Sequence, residues 1–580
     1  MKQKLLLLFA LAMSSMGAWA LSDGSIFWAD VPCGDDDDTV EMTFMVISEA
    51  NKTCQVGNGS HWCLETEPAM MDSYYSKSGT VTIPATITYN DVTYQVIAIG
   101  DYAFDGWVVA GIDNLTGLIL PEGLQTIGES FVDCRGITSL TIPSTVTNIS
   151  EEAFNYMENL EALSVEAGNS VYDSRGESHA IIETATNTLM HASNTTVIPA
   201  DVTAIGNYAF RHRKIRNVNL ENITSIGKYA FYLCDKLDRV VIPEGITTIK
   251  ESTFHCCYSL KSLYIPTSVT TIEGHAFQEA GLSSYFCIRS LIIPNSVNNV
   301  GDFLCYAGRY KYFQIGTGTH AFSNYMFYSA SQFNAMTILS PTKVTTQTYT
   351  FRYASSSFDL YVPSSLTSSY GATWNNGTVT ALATTTTYTV PASGIGTFCW
   401  NQNFTLPAGL EAYICTGYDG SVQTSKLEGI IPGYTGVLLK GTPGETYTIT
   451  ATTSDYTAKW GDNILQPVYV EEHIPATQND YAKVNYTFFI LKDGKFVTIA
   501  DGGDSSAKMP AQRAFLPIET SLLPAGSRSL DVIFNGTTNI LHTKTKESVE
   551  DNKYYNLNGR QVTRPTKGLY ITNGKKVIIK

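Results

Sequence analysis

A short apolar motif that recurs about every 23 residues constrains the fold of this chain more than any other feature of its sequence. One copy reads Leu-x-Ile-Pro-x-x-Val-x-x-Ile from Leu140 to Ile149, and a Phe follows the last Ile by five residues. Members of this Phe series lie 21 to 28 residues apart, which is the spacing of leucine-rich repeats. The single exception is one step of 56 residues. The series consists of Phe104, Phe131, Phe154, Phe210, Phe231, Phe254, Phe277, Cys305, Phe327 and Phe351.

Alternation within each copy predicts a short strand, because successive side chains of a strand point to opposite faces. Leu140 and Ile142 then face inward, and Pro143 ends the strand since it has no N–H for a further rung. One coil buries too little apolar surface to fold alone, so the coils must stack. The pattern predicts a leucine-rich-repeat solenoid over residues 81–365. The long step, around 172–190, predicts a hairpin-like variant of the repeat, and Cys305 predicts an underpacked coil because Cys is smaller than Phe.

The repeats resemble those of the BspA-like leucine-rich-repeat proteins of bacterial surfaces. The closest copy runs from Ile198-Pro199 to Ile205-Gly206-Asn207-Tyr208-Ala209-Phe210. Later copies lose Ile-Gly and Ala, and Phe becomes Cys at Cys305. The resemblance covers about half the chain and implies an adhesin-like protein that binds host or matrix proteins, or other cells.

One outward position per coil is the candidate ligand-binding row. The outward row consists of Ile119, Thr141, Ser164, Val197, Asn219, Val241, Tyr264, Ile292, Gln314, Thr337 and Tyr361. Contiguous large apolar side chains on a surface are typical of a contact patch, and Tyr suits interfaces. We therefore predict a ligand-binding patch on successive coils, although β-branched and aromatic residues also simply favour strands. Its members are Val241, Tyr264, Ile292 and Gln314 of this row, with Tyr312 one row beside Gln314.

The regions that flank the repeats also have a mainly β composition. Residues 21–80 alternate like paired strands and are expected to cap the solenoid. Short, evenly spaced strands predict a β-sandwich-like domain at 384–540, which could be a stalk, a carbohydrate-binding module or a second adhesive domain. Asn558-Gly559 and Asn573-Gly574 predict two hairpins in a C-terminal tail at 554–580, for which a sorting role is an alternative.

The first residues predict export. Lys2 and Lys4 precede an apolar run, and Ala18-Trp19-Ala20 fits a signal peptidase site, so residues 1–20 are interpreted as a signal peptide and the mature chain as starting at Leu21. No other segment is long and apolar enough to predict a transmembrane helix. The net charge is −15, which argues against nucleic acid as a partner. We expect a secreted or cell-surface location.

Residues with catalytic or metal-binding chemistry form no recognisable motif, so we expect neither an enzyme, a cofactor nor a metal. Phe398-Cys399-Trp400 lacks the rest of a papain-type signature, and the acidic run Asp35–Asp38 lacks the ligand spacing of a calcium loop. Six His residues fall at different offsets in different coils, which favours separate polar positions: His179, His191, His212, His255, His275 and His320.

The sequence has 11 Cys residues, and two groups of three among them can be interpreted from their positions. Cys134, Cys234 and Cys257 each follow a series Phe by three residues and predict a small core position. Cys33, Cys54 and Cys63 lie outside the repeats and could include one disulfide.

Two functional hypotheses follow. The first is an exported, adhesin-like protein whose solenoid binds a protein outside the cell. The alternative is a glycan-binding or polysaccharide-processing accessory protein that uses the β-sandwich-like domain.

Overall fold

The fold is mainly β: a leucine-rich-repeat solenoid is followed by a β domain and a short C-terminal β tail. The computed structural model describes residues 21–34, 39–57, 79–104, 115–129, 131, 134–155, 157–282, 288–355, 357–475, 477–479, 483–499, 506–524, 527–535, 554–555, 561–562, 568–572 and 575–579. The predicted signal peptide, Asp35–Asp38 and Cys63 lie outside these residues. No helix in the described part is long and apolar enough to cross a membrane.

The N-terminal strands are continuous with the solenoid. β3 pairs in parallel with β6, which in turn pairs in parallel with β8 of the first coils, and one apolar core runs from Phe27 to Ile181. The expected cap therefore shares its core with the repeats. The strands up to the first coils are β1 Ile26–Pro32, β2 Thr39–Ser48, β3 Thr53–Val56, β4 Gly79–Thr82, β5 Thr86–Tyr89, β6 Val92–Ile99, β7 Leu115–Ile119 and β8 Thr126–Ile127.

The solenoid continues through short parallel strands, with one α-helix of a single turn, α1, at Thr367–Tyr370 among the described residues. The strands are β9 Ser139–Ile142, β10 Asn148–Ile149, β11 Ala162–Val165, β12 Tyr172–Asp173, β13 Ala180–Glu183, β14 Thr188–Ala192, β15 Ala204–Ile205, β16 Ser225–Ile226, β17 Arg239–Val241, β18 Thr248–Ile249, β19 Ser262–Tyr264, β20 Thr271–Ile272, β21 Ser290–Ile293, β22 Asn299–Val300, β23 Tyr312–Ile315, β24 Ala335–Ile338, β25 Phe358–Val362, β26 Thr373–Trp374 and β27 Gly377–Ala381.

The coil interior is the one that the motif predicts. Leu140 and Ile142 are buried, and β9 pairs in parallel with β11 so that Leu140 lies beside Leu163 of the next coil. The series Phe rings stack from coil to coil, with centroids 5.4 Å apart between Phe231 and Phe254. Each coil thus buries the surface that its neighbours expose, which is the source of solenoid stability.

A ladder of tight turns forms another side of each coil, called here the turn side. From Phe210 to Phe327, the residues two before and two after each series position have left-handed backbones, as Ser252 (φ 52°) and Cys256 (φ 59°) do around Phe254. Such backbones cost roughly 1–2 kcal/mol in L-residues. Bonds between coils offset that cost, because the Phe254 N–H donates to Ala276 O at 3.0 Å and the Cys256 N–H to Gln278 O at 2.9 Å.

The hairpin predicted at the long step is confirmed. β13 and β14 pair antiparallel, and β14 then pairs in parallel with β15, so the array continues. No series Phe falls between Phe154 and Phe210, and the buried His191 ring packs edge-on against Phe154 with centroids 4.9 Å apart. Arg213 is buried next to it and donates to the carbonyls of Ala192 and Met157 at 2.6 and 2.7 Å.

The coil at Cys305 is filled by larger neighbours, which corrects the expected loss of packing there. Leu304 is fully buried where earlier coils have Ala, Ser or Thr. Tyr310 is also fully buried, and its hydroxyl donates to Phe277 O at 2.7 Å. The side chains of Leu304 and Tyr310 therefore supply the volume that Cys305 lacks relative to Phe.

The cysteines in the described residues are buried, Cys33 and Cys54 among them, and no disulfide joins two described residues. Cys134, Cys234 and Cys257 fill core positions as predicted and donate to the carbonyl of the preceding coil's Phe, as from Cys234 Sγ to Phe210 O at 3.0 Å.

The β domain (residues 384–535) consists mainly of antiparallel strands in several layers. A five-stranded sheet, β29-β33-β31-β32-β43, buries side chains on both faces: Ile414 belongs to one apolar cluster, and Cys415 to the next. The strands are β28 Thr385–Thr389, β29 Ile395–Phe398, β30 Phe404–Thr405, β31 Glu411–Tyr418, β32 Val422–Leu427, β33 Val437–Lys440, β34 Thr446–Ala451, β35 Gln466–Val468, β36 Glu472–Pro475, β37 Thr477–Asn479, β38 Asn485–Lys492, β39 Lys495–Thr498, β40 Ser506–Met509, β41 Arg513–Glu519, β42 Ser529–Leu530 and β43 Val532–Asn535.

The C-terminal unit, residues 536–580, is a separate body with a four-stranded antiparallel sheet ordered β45-β44-β46-β47. Two hairpins, β44 with β45 and β46 with β47, confirm the sequence expectation, although both Asn-Gly turns lie outside the described residues. The strands are β44 Tyr554–Tyr555, β45 Gln561–Val562, β46 Gly568–Thr572 and β47 Lys575–Ile579.

Candidate functional site

The predicted ligand patch is a contact surface, but the chain's own β domain covers it. Tyr264, Ile292, Tyr312 and Gln314 are between 0% and 7% exposed, and Val241 is half-buried. The prediction that this row is open to an external ligand is therefore corrected. Large outward side chains favoured a contact there, and a later segment of the same chain supplies the partner surface.

The apolar part of this interface consists of aromatic side chains from both sides. Tyr264 packs edge-on against Trp460, with ring centroids 5.7 Å apart. Tyr312 stacks on Tyr434 with centroids 5.1 Å apart and an interplanar angle of 6°. Its hydroxyl accepts the Tyr469 N–H at 3.1 Å. Offset stacks and edge contacts of this kind are favourable beyond the area they bury.

Several polar groups inside the interface are paired across it. The Gln314 amide donates to Asn403 Oδ1 at 2.6 Å and accepts the Gly433 N–H at 3.1 Å. Thr337 Oγ1 donates to Asn401 O at 2.6 Å. Because unpaired polar groups are costly to bury, this pairing indicates a specific docking geometry.

Opposite charges meet at one side of the same interface. Lys261, Arg289 and Lys311 occupy one offset in three successive coils, two residues before an inward apolar residue. Glu472 of the β domain forms ion pairs with Arg289, which is 1% exposed, and with Lys311. Arg289 Nε also donates to Pro467 O at 2.8 Å. A basic residue repeated at one position of successive coils was the sequence feature that indicated the covered surface. The sequence analysis considered only outward apolar residues and therefore missed it.

The first coils keep their outward row open. Ile119 is 54% exposed and Val197 63% exposed, and Thr141 and Asn219 are exposed as well. The Thr141 and Ser164 hydroxyls lie 3.0 Å apart, so neighbouring coils are linked along this row. The open part of the row is more polar than the part that the β domain covers.

The turn side of the late coils carries a second accessible surface that the sequence search missed. Tyr325 stacks on Tyr349 with centroids 5.1 Å apart, and Tyr306 stacks on Tyr328 at 5.1 Å. The Arg352 guanidinium lies 4.9 Å from the Tyr353 ring centroid, and Tyr353 is 63% exposed. We call this surface the turn ridge and define it as Tyr306, Tyr325, Tyr328, Tyr349, Arg352 and Tyr353. The sequence feature that could have revealed this surface is a second set of recurring aromatic residues. They lie two residues before and one or two residues after each of the late series positions.

Histidines are less scattered than their offsets predicted. His255 and His275 lie on adjacent coils with stacked rings, their centroids 6.1 Å apart. Burial lowers the pKa of His255 to about 4, with the neighbouring His275 as a smaller cause. Cys399 is fully buried among aromatic rings, and burial raises the pKa of its thiol, as expected for a structural position.

The repeats can be compared with known families once this geometry is described. The profile of the BspA type leucine rich repeat region matches six copies, over residues 82–177, 186–288 and 283–380. The chain belongs to the BspA-type leucine-rich repeat family. No curated protein matches the chain in sequence.

Solved structures of leucine-rich repeat proteins are similar to part of the chain. The pneumococcal vaccine antigen PcpA is 16% identical, with 62% of this chain and 100% of that chain covered at a TM-score of 0.34. A leucine-rich repeat protein from Bacteroides ovatus is 17% identical, with 59% and 98% covered at 0.29. These TM-scores are low, so the family membership rests on the repeat sequence itself.

Proposed function

We propose that this BspA-type repeat protein is an exported, non-catalytic cell-surface protein whose solenoid binds another protein outside the cell, on a host, in a matrix or on a second cell. Three observations support the proposal. The N-terminal sequence has the pattern of a signal peptide, the family consists of repeat proteins, and a stacked solenoid presents a long surface to a partner.

The turn ridge is the surface that carries this proposal. Tyr and Arg are enriched where proteins bind tightly, since they contribute large areas and polar tips. Tyr328 and Tyr353 pack edge-on, with centroids 5.2 Å apart, and Arg352 Nη2 donates to the Tyr353 hydroxyl at 3.1 Å. Rings already ordered by their neighbours lose little freedom on binding, so the ridge is preorganised.

A binding screen of the chain from Leu21 to Lys580 against matrix proteins, host cells and glycan arrays tests this function. We expect a protein partner, and we expect the double variant Tyr328→Ala, Tyr353→Ala to weaken its binding at least tenfold. The matched control is Ile119→Ala with Val197→Ala on the open outward row. If only the control variant lost binding, the binding site would lie on the open outward row and not on the turn ridge. A chain that binds glycans but no protein would contradict the proposal and favour the β domain as a glycan-binding module.

Intact chains are needed for this screen. Separate fragments of the solenoid and the β domain would each expose the apolar surface that buries Tyr264 and Tyr312, and such surfaces bind nonspecifically.

A further inference from the structure

Three metal-ligating side chains of different chemistry meet on the turn side of two adjacent coils. The imidazole of His255, the thiol of Cys256 and the carboxylate of Glu279 each have a ligand atom within 4.8 Å of the other two. Cys256 Sγ and Glu279 Oε2 are 3.9 Å apart. His255 is one residue after a series Phe, Cys256 and Glu279 are each two residues after one, and the three together match no ligand motif that can be recognised in the sequence.

The turn ladder fixes the backbone under these side chains. Cys256 and Glu279 are each two residues after a series Phe, so they occupy the same place in successive coils and share a left-handed backbone, with φ of 59° and 52°. The Glu279 N–H donates to Tyr306 O at 2.9 Å, which continues the ladder into the next coil. The ligand set is therefore held on a rigid scaffold, as a selective metal site requires.

A chain of hydrogen bonds orients the carboxylate. His275 Nδ1 lies 2.5 Å from Gln278 Oε1, and Gln278 Nε2 donates to Glu279 Oε1 at 3.5 Å. Oε1 thereby has a donor of its own, and Oε2 is the oxygen that contacts Cys256 Sγ. Metal-ligating carboxylates are commonly held in this way by groups that do not touch the metal.

We propose that His255, Cys256 and Glu279 bind a zinc ion, or a transition-metal ion of similar softness, between the two coils. One nitrogen, one sulfur and one oxygen ligand suit zinc, whereas magnesium and calcium select oxygen ligands alone. Metal–ligand bonds of about 2.0–2.3 Å place tetrahedral ligand atoms roughly 3.3–3.8 Å apart. Side-chain rotations that move the three ligand atoms by about 1 Å would bring them from within 4.8 Å of one another to that spacing. A water molecule would supply the fourth ligand.

The ion would link the coil of Phe254 to the coil of Phe277, and it would stabilise the folded state because the unfolded chain lacks the preformed site. The test uses zinc chloride alone, titrated calorimetrically into the chain from Leu21 to Lys580. We expect one high-affinity site and a rise in Tm. Cobalt should produce a thiolate-to-metal charge-transfer band in the near ultraviolet, which requires the Cys256 sulfur as a ligand.

Variants assign the site. Cys256→Ser should abolish the charge-transfer band, and Glu279→Gln should weaken zinc binding at nearly constant shape. Gln278→Ala touches no metal and should weaken affinity about 10–100-fold by releasing the carboxylate. His320→Ala, on another coil, is the control and should leave binding unchanged.

The absence of zinc binding by the unsubstituted chain would overturn the proposal. Equal affinity in the unsubstituted chain and in Glu279→Gln would also overturn it. Glu279 is half-buried, so its substitution by Gln preserves the fold, and this variant decides the outcome even if Cys256→Ser fails to fold.

Discussion

Tyr312 offers a graded test of how the β domain docks on the solenoid. Its side chain is fully buried, its ring stacks on Tyr434, and its hydroxyl accepts the N–H groups of Tyr469 at 3.1 Å and Val470 at 3.4 Å. Tyr312→Phe keeps the ring and leaves those donors without this acceptor, which costs about 1–3 kcal/mol. Tyr312→Ala also removes the ring and leaves a cavity, for which large aromatic truncations cost about 3–5 kcal/mol.

The series is measured by urea unfolding, with tryptophan fluorescence to follow the interface, because Trp460 packs against Tyr264 there. The matched control is Tyr353→Ala, which removes the same side chain from a position 63% exposed and should change stability by about 0.5 kcal/mol or less. The expected order of destabilisation is Ala, then Phe, then the control. If Tyr312→Ala were no more destabilising than the control, the docking described above would be wrong.

Three further changes test other parts of the fold. Glu472→Ala leaves Arg289 buried without its counterion and should lower the free energy of unfolding by about 3–5 kcal/mol. Asp531→Ala, which breaks an exposed ion pair with Lys495, should lower it by about 1 kcal/mol or less in the same urea titration. Cys305→Phe should overpack its coil and lower stability by about 1–3 kcal/mol, and a higher Tm would show that space remains there. Burial, with a smaller effect of a nearby Arg charge, lowers the folded-state pKa of His191 to about 3, below its value of about 6.5 in the unfolded chain, so its contribution is complete above about pH 6.5 and is lost as the pH falls towards 3. At pH 5 this loss is about 2 kcal/mol, and His191→Phe should reduce the pH dependence of unfolding between pH 7 and 5. An unchanged pH dependence in this variant would contradict the prediction.

Periodicity predicted the solenoid because the same burial requirement recurs in every coil. Leu140, Ile142 and the stacked Phe residues face inward as expected, and the antiparallel pairing of β13 with β14 accounts for the long step. The outward direction of Tyr264 and Tyr312 also followed from strand alternation. Their contact partner did not follow, because an outward apolar residue looks the same whether it meets another molecule or a later part of its own chain.

The surface of the β domain that contacts the solenoid has no repeating sequence pattern, so it could not be predicted from the sequence. Tyr434, Trp460 and Glu472 come from separate loops and strands of the β domain, and only the fold brings them together. Counting offsets failed for the histidines for a related reason. His255 follows its series Phe by one residue and His275 precedes the next by two, yet the turn places their rings side by side. Sequence comparison at equal offsets cannot detect such a pair.

Docking of the β domain ties the number of coils to the rest of the molecule. Inserting or deleting one coil between Arg239 and Tyr361 would displace the later contacts by one strand spacing, about 4.8 Å, relative to the earlier ones. Asp462, which accepts a hydrogen bond from Arg239, and Tyr469, which packs against Tyr361, could then not both keep their partners. A coil added among the first repeats, whose outward row is open, would disturb none of these pairs. The two halves of the solenoid should therefore differ in how freely their length can change during evolution or engineering, with the covered half fixed and the open half free to vary.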